Sequence, residues 1–375
     1  MSSVLDLARP DLRTLRPYQP GEWEPGMTRL NANESPWRLP SDPTARGLNV
    51  YPPPRPAELR AALADYYQTS PVNLLVTRGS SEAIDVLIRG FCRAGRDSIV
   101  ITPPTFDMYR VYATIQAAAI RKAPLIQALA FDFDVNAVLD AVDDSTRIVF
   151  ICSPNNPTGT VIAPDALATL AEALEGRALV VVDAAYQDYA EDQRLARLLE
   201  RFEHVVVLRT LSKFVALAGA RCGVVIGAPS LIGFLENVLP PYQFPTPSIE
   251  IVLEALKPGS LAVARERIAE TLAERERLRR GLAALGTVIE VYPSQANFVL
   301  ARLNDRAAFV AAARAAGILV RVFNGEPALA DCVRITVGLP VDNTKLLAAL
   351  AGAAGARASA SAGASIGVDR GDSDG

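Results

Sequence analysis

Five side chains able to do amine, proton and anion chemistry recur through the middle of the chain: Asn156, Asp183, Tyr186, Lys213 and Arg221. Three apolar, β-branched runs deliver the first four: RIVFICSP (147–154), ALVVVDAAY (178–186) and HVVVLRTLSK (204–213). Asn156, Asp183 and Lys213 are spaced by roughly 30 residues, the length of one βαβ unit. Ligands of open parallel sheets bind outside the carboxyl ends of the strands. The spacing therefore brings an amide, a carboxylate, a phenol, a lysine and an arginine to one rim. Another run, NLLVTRG (73–79), leads into Ser80 and Ser81 at a predicted helix start, and Thr210 and Ser212 stand just before the lysine.

That set suits pyridoxal 5'-phosphate, which needs a lysine for a Schiff base and a carboxylate to keep its ring nitrogen protonated. Amide and phenol groups suit the ring hydroxyl. Backbone N–H groups, serine hydroxyls and an arginine at a helix start suit the phosphate. The two serines also suit plain helix capping.

The elements that must position these groups read as an α/β protein. Residues 57–68 form an amphipathic helix. Strands at 73–79, 98–104, 147–154, 178–186 and 204–213 alternate with helical sequence such as PDALATLAEALEG (164–176). Such alternation predicts a mostly parallel sheet covered by helices. Lys257-Pro258-Gly259 punctuates the chain, and Ser260 is expected to cap a long charged helix running to about Gly286. TVIEVYPS, NFVLARL, ILVRV and CVRITVG then read as strands and 305–316 as a helix, giving a smaller α/β domain. The predicted organisation is a 1–50 arm contributing to the small domain and substrate site, a 51–257 cofactor domain, a 258–350 small domain and a disordered Ala/Gly/Ser-rich tail at 351–375.

Composition narrows the function classes. The 375 residues are 50% hydrophobic and 21% charged, and the formal net charge is −3, so no broad attraction to nucleic acid or anionic membrane is expected. One histidine, His204, and four scattered cysteines give no metal-ligand spacing, and no metal is expected. The cysteines suit a reducing compartment. The N-terminus lacks a signal-like apolar run, and no stretch is long and apolar enough for a membrane span, so a cytoplasmic location is expected. P-loop and dinucleotide-binding glycine fingerprints are absent. A formal G-x-S-x-G match at Gly363–Gly367 falls in the low-complexity tail.

Longer strings carry a resemblance: RPYQPG (16–21), LNANESP (30–36), YPPPRP (51–56), TRGSSEAIDVLIRGF (77–91), PPTFDMY (103–109), CSPNNPTG (152–159), VDAAY (182–186), LRTLSKFVALAGARCG (208–223), SQANFVLAR (294–302) and VRITVG (333–338). Over roughly residues 15–350 the chain resembles the fold-type I pyridoxal-phosphate aminotransferases of the class-I/II superfamily. LNANE, RPYQ and the Y-P-x-P segment narrow the resemblance to its histidinol-phosphate branch.

The resemblance implies a homodimer with shared active sites. It implies transfer of the amino group of L-histidinol phosphate to 2-oxoglutarate, giving 3-(imidazol-4-yl)-2-oxopropyl phosphate and glutamate in histidine biosynthesis. It makes Lys213 the Schiff-base lysine, Asp183 the partner of the ring nitrogen, and Asn156 and Tyr186 the contacts of the ring oxygen. Ser80, Ser81, Thr210, Ser212 and Arg221 become the phosphate cup and Phe106 the stacking ring. Tyr51 becomes a residue sent to the neighbour's phosphate, with Tyr242 also near a neighbouring site. Arg334 and Arg321, with Tyr18, are implied to hold the substrate's anions, and Asn33 to line the entrance. Ala184 stands where the family commonly has a glutamate, and Phe106 where a tyrosine is frequent. His204 reads as structural. Two other readings stay open: a relative acting on aromatic amino acids or decarboxylating a phosphorylated amino acid, and a non-catalytic binding protein of the same fold.

Overall fold

The computed structural model describes residues 3–22, 27–190 and 195–365, the side chains of 354–365 excepted. The chain divides into two compact units, 1–156 with 160–267, and 157–159 with 268–375.

The larger unit is built on a sheet of seven strands: β1 (Leu74–Thr77), β2 (Ser98–Ile101), β3 (Ala119–Lys122), β4 (Thr146–Cys152), β5 (Leu179–Asp183), β6 (Val205–Thr210) and β7 (Gly223–Ile226), in the order β1-β7-β6-β5-β4-β2-β3. Only β7 runs against its neighbours. Both faces are covered, which explains the unbroken apolar runs. Val205 and Val207 enter one core with Val149 and Ile151, while Val206 and Leu208 enter the other with Ile148 and Phe150. Each such fully buried side chain contributes about 1.5–3 kcal/mol relative to exposure.

The first residues belong to this larger unit. Ser3 and Asp6 form a reciprocal cap on the turn Val4–Leu7, whose Val4 and Leu7 are buried in the core that holds Phe91 and Leu235. The Arg9 N–H donates to the Gly90 carbonyl at 3.0 Å. The division of the chain falls after Arg267, inside the helix Pro258–Ala283. That helix starts two residues before the expected Ser260 cap, because proline suits the first turn of a helix. Ser260 instead lies inside it and donates to the Glu254 carbonyl at 3.1 Å.

The smaller unit carries β8 (Val288–Val291), β9 (Phe298–Leu303), β10 (Arg321–Val322) and β11 (Cys332–Thr336) in an antiparallel sheet ordered β10-β11-β9-β8. The helices Arg306–Ala315 and Pro340–Ser365 accompany it. The last helix includes residues 351–365 of the Ala/Gly/Ser-rich stretch. Residues 366–375 lie outside the described residues.

Candidate active site

From β4 the chain builds the sheet through β5 and β6, while β2 and β3 extend it the other way. Sheets of this kind bind ligands where the strand order reverses. The loops leaving β2 and β4 meet there. Asn155, almost fully buried, joins them: its Nδ2 donates to the Pro104 carbonyl at 2.9 Å, and Thr105 Oγ1 donates to its Oδ1 at 3.0 Å. Asn155 therefore serves the loops, and half-buried Asn156 is the amide at the strand end.

Asp183 closes β5, paired in register with Cys152 and Leu208, and is 2% exposed. Tyr109 Oη donates to its Oδ2 at 2.8 Å, and the Ala185 N–H donates to its Oδ1 at 3.2 Å. Burial pushes the carboxyl up to about 6, against the downward pull of the Tyr109 bond, the Ala185 bond and the Lys213 charge. A carboxylate buried this far is best matched by a cation placed opposite it. Lys213, half-buried just beyond β6, holds Nζ 5.5 Å from the centroid of the buried Tyr186 ring.

The anion-binding end is assembled by close backbone approach. The helix Gly79–Phe91 has no side-chain cap, so Ser80 and Ser81 lie inside its first turn rather than capping it. Gly79 has φ of +74°, and a Cβ there would lie 2.6 Å from Arg221 Nη2, so the guanidinium sits against the helix start. Arg221 itself adopts a left-handed backbone, φ 57°. Gly223, in register with Thr210, leaves no room either: its Cβ would stand 2.7 Å from the Ser80 nitrogen. Thr210 Oγ1 accepts from the Ser212 N–H at 3.2 Å and lies 3.1 Å from the Cys222 carbonyl and 3.0 Å from Ser212 Oγ. Its one proton serves one of these oxygens. Thr210 thus braces the strand end, and half-buried Ser212 offers the freer hydroxyl. The arrangement fits a ligand with an anionic group at one end and a cationic ring nitrogen at the other. Gly223→Ala is expected to wedge the helix from β7, costing about 1–3 kcal/mol, and to weaken binding of such an anion; thermal melts with and without inorganic phosphate check it.

Other predicted residues stand elsewhere. Tyr18 is 66% exposed and lines a cavity of about 340 Å³ with Pro54, Arg60, Glu236 and Gln243. Asn33 is exposed with φ 55°, and its neighbour Glu34 accepts from the Tyr51 N–H at 2.7 Å. Tyr51, 49% exposed, stacks on Tyr242 at 4.6 Å. In the smaller unit, Arg321 and Arg334 face one another across β10 and β11. Their guanidinium carbons lie 5.8 and 5.9 Å from the centroid of Phe323. Buried His204 has Nε2 2.9 Å from the Ala171 carbonyl oxygen.

The sequence profile described as Aminotransferase class I and II matches residues 38–350. The chain belongs to this family. A histidinol-phosphate aminotransferase of Xanthomonas euvesicatoria pv. vesicatoria (strain 85-10) is 44% identical over 353 residues, covering 93% of this chain and 97% of the relative. One from Stenotrophomonas maltophilia (strain R551-3) is 44% identical over 354 residues, with the same coverage of both chains. The solved structure of the histidinol-phosphate aminotransferase from Clostridium acetobutylicum has a TM-score of 0.74 at 23% identity, covering 82% of this chain and 92% of that one. The fold is thus that of the fold-type I aminotransferases.

In this aminotransferase, sequence reasoning missed Tyr109 and the separate duty of Asn155. Tyr109 stands three residues after Phe106, in the first turn of the helix Met108–Ile115, and its ring meets Phe106 edge-on at 5.8 Å. An aromatic pair at i and i+3 just beyond a strand end was the available signal.

Proposed function

We propose that this aminotransferase takes the amino group of L-histidinol phosphate and passes it to 2-oxoglutarate, producing 3-(imidazol-4-yl)-2-oxopropyl phosphate and glutamate in histidine biosynthesis. The observation that carries the substrate is the register of Arg321 against Arg334. Like charges directly opposite on a sheet destabilise it. A phosphate monoester, with a charge near −2 and three acceptor oxygens, turns that repulsion into attraction. The 44% identity to relatives named for this reaction supports the same substrate.

The cofactor in this reading is pyridoxal 5'-phosphate. Bound, it supplies an electron sink for the carbon that loses its proton and a carrier for the amino group. Lys213 provides the amine that holds it and later carries the proton. Asp183 holds the ring-nitrogen proton, Asn156 and Tyr186 bind the ring oxygen, and Phe106 covers the ring. Ser80, Ser81, Ser212 and Arg221, braced by Thr210, bind the phosphate. Tyr18 and Asn33 complete the substrate contacts. A homodimer belongs to the proposal, with half-exposed Tyr51 given to the neighbour's cofactor phosphate. The proposed location is the cytoplasm, where four free, buried cysteines are at home. Among the described residues no helix is long and apolar enough to cross a membrane.

Two half-reactions sharing one amino-group carrier imply ping-pong kinetics. The test is an absorption spectrum of the purified protein before and after histidinol phosphate, with no keto acid present. Loss of the long-wavelength cofactor band supports the substrate. A band left unchanged discards it and moves the assignment to an aromatic amino acid or a decarboxylation. No band after added pyridoxal 5'-phosphate discards the cofactor. Arg321→Ala is expected to lower kcat/KM for histidinol phosphate by about 10²-fold, the loss of roughly 3 kcal/mol of charge-assisted hydrogen bonding, while changing phenylalanine turnover less than about threefold. Equal losses on both substrates would remove Arg321 from phosphate recognition.

A further inference from the structure

Among the described residues, groups from four directions act on the charge and direction of buried Asp183. From its own strand end comes the Ala185 N–H, and from beyond β6 the Lys213 ammonium. On β4, its register partner Cys152 carries a thiol that burial keeps protonated. The helix Met108–Ile115 contributes Tyr109, which donates to Oδ2 at 2.8 Å. Tyr109 is wholly buried, stacked on Phe150 at 4.7 Å with the planes 10° apart and edge-on to Phe106 at 5.8 Å. Burial raises its own phenol well above the ordinary tyrosine range, so across neutral pH the hydroxyl is a donor.

We propose that Tyr109 is a positioning residue for Asp183: its clamped hydroxyl keeps the carboxylate ionised and turned toward the cofactor's ring nitrogen. One short segment, Phe106 to Tyr109, then supplies both the ring's stacking partner and the group that tunes the carboxylate facing the ring nitrogen. The two aromatic contacts hold the Tyr109 ring, and so its oxygen, within hydrogen-bond reach of Asp183 Oδ2. This inference rests on the cofactor assigned above.

Tyr109→Phe keeps both aromatic contacts and removes only the donor. Without that donor Asp183 should hold its proton to higher pH, and a ring nitrogen that arrives protonated needs an ionised carboxylate. The measurement is the affinity of the unloaded protein for pyridoxal 5'-phosphate, followed by absorption between pH 5 and 9. In the wild type, affinity should rise with pH through a midpoint set by Asp183. In Tyr109→Phe that midpoint should move up by about one pH unit, as loss of a hydrogen bond to a charged group implies. Affinity near pH 6.5 should fall about threefold, the loss should approach tenfold toward pH 5, and at pH 9 affinity should match the wild type. In an Asp183→Asn background the same substitution should change affinity less than twofold. A uniform loss across pH, an unmoved midpoint, or an effect that persists in the Asp183→Asn background would each overturn the proposal. A wild type that binds no pyridoxal 5'-phosphate would instead sink the cofactor reading, so the two failures are distinguishable.

Discussion

Lys213→Ala should reduce turnover of histidinol phosphate to below roughly 10⁻⁴ of the wild type. General acid–base catalysis alone accounts for about 10²- to 10⁴-fold, and this lysine is also the amine that holds the cofactor. No other lysine in the described structure follows a strand end beside Asp183; the position just past β6 next to the Tyr186 ring belongs to Lys213. The fold should be indifferent. Lys213 is half-buried and belongs to none of the apolar cores, so the melting temperature should change by no more than about 2 °C. A small exogenous amine should restore part of the proton transfer, because Asp183, Tyr186 and the anion-binding end stay in place. Full turnover by the variant without added amine would place the proton transfer on another group.

How far such a site can be read from sequence depends on the range of the interactions that build it. The strands carrying Asn156, Asp183 and Lys213 are local, apolar and regularly spaced, so period and strand-end placement suffice to find them. β7 gave no comparable signal. It has four residues, opens on Gly223, and pairs with β1, far away in the chain. The anion-binding end depends on that distant pairing, because Gly223 must pack on the Gly79–Ser80 backbone for Arg221 to lie over the helix start. Asn155 and Asn156 illustrate a second limit. Adjacent residues of one type are separated only by which of them the Pro104–Thr105 loop engages. Arg321 against Arg334 shows a third, since facing depends on hairpin register.

Asp183→Asn carries the second large prediction, and its two arms have opposite signs. The Asp183 carboxyl is raised from an ordinary value of 3.8 to about 6 by burial. The folded, unloaded protein therefore holds this proton more tightly than the unfolded chain. Its stability falls as pH climbs from about 4 to about 6, and the deficit persists above that. At 1.36 kcal/mol per pH unit the deficit is about 3 kcal/mol. Asparagine removes the charge and keeps the shape. Its Oδ1 can accept from the Ala185 N–H while its Nδ2 donates to the Tyr109 oxygen, which a hydroxyl accepts by turning its proton away. The unloaded Asp183→Asn protein should therefore melt several degrees higher than the unloaded wild type at pH 8, and at the same temperature near pH 4. Loading should reverse the order. A pyridinium facing Asp183 recovers the cost of the buried carboxylate, and the amide offers it no counter-charge. Turnover should fall by at least about 10³-fold, since protonation of the ring nitrogen is what Asp183 enforces. Melting curves at pH 4 and 8, each with and without pyridoxal 5'-phosphate, measure both arms. A variant less stable than the unloaded wild type at pH 8 would show that the carboxylate is already compensated by Lys213 and Tyr109, leaving no electrostatic deficit for the ring nitrogen to relieve.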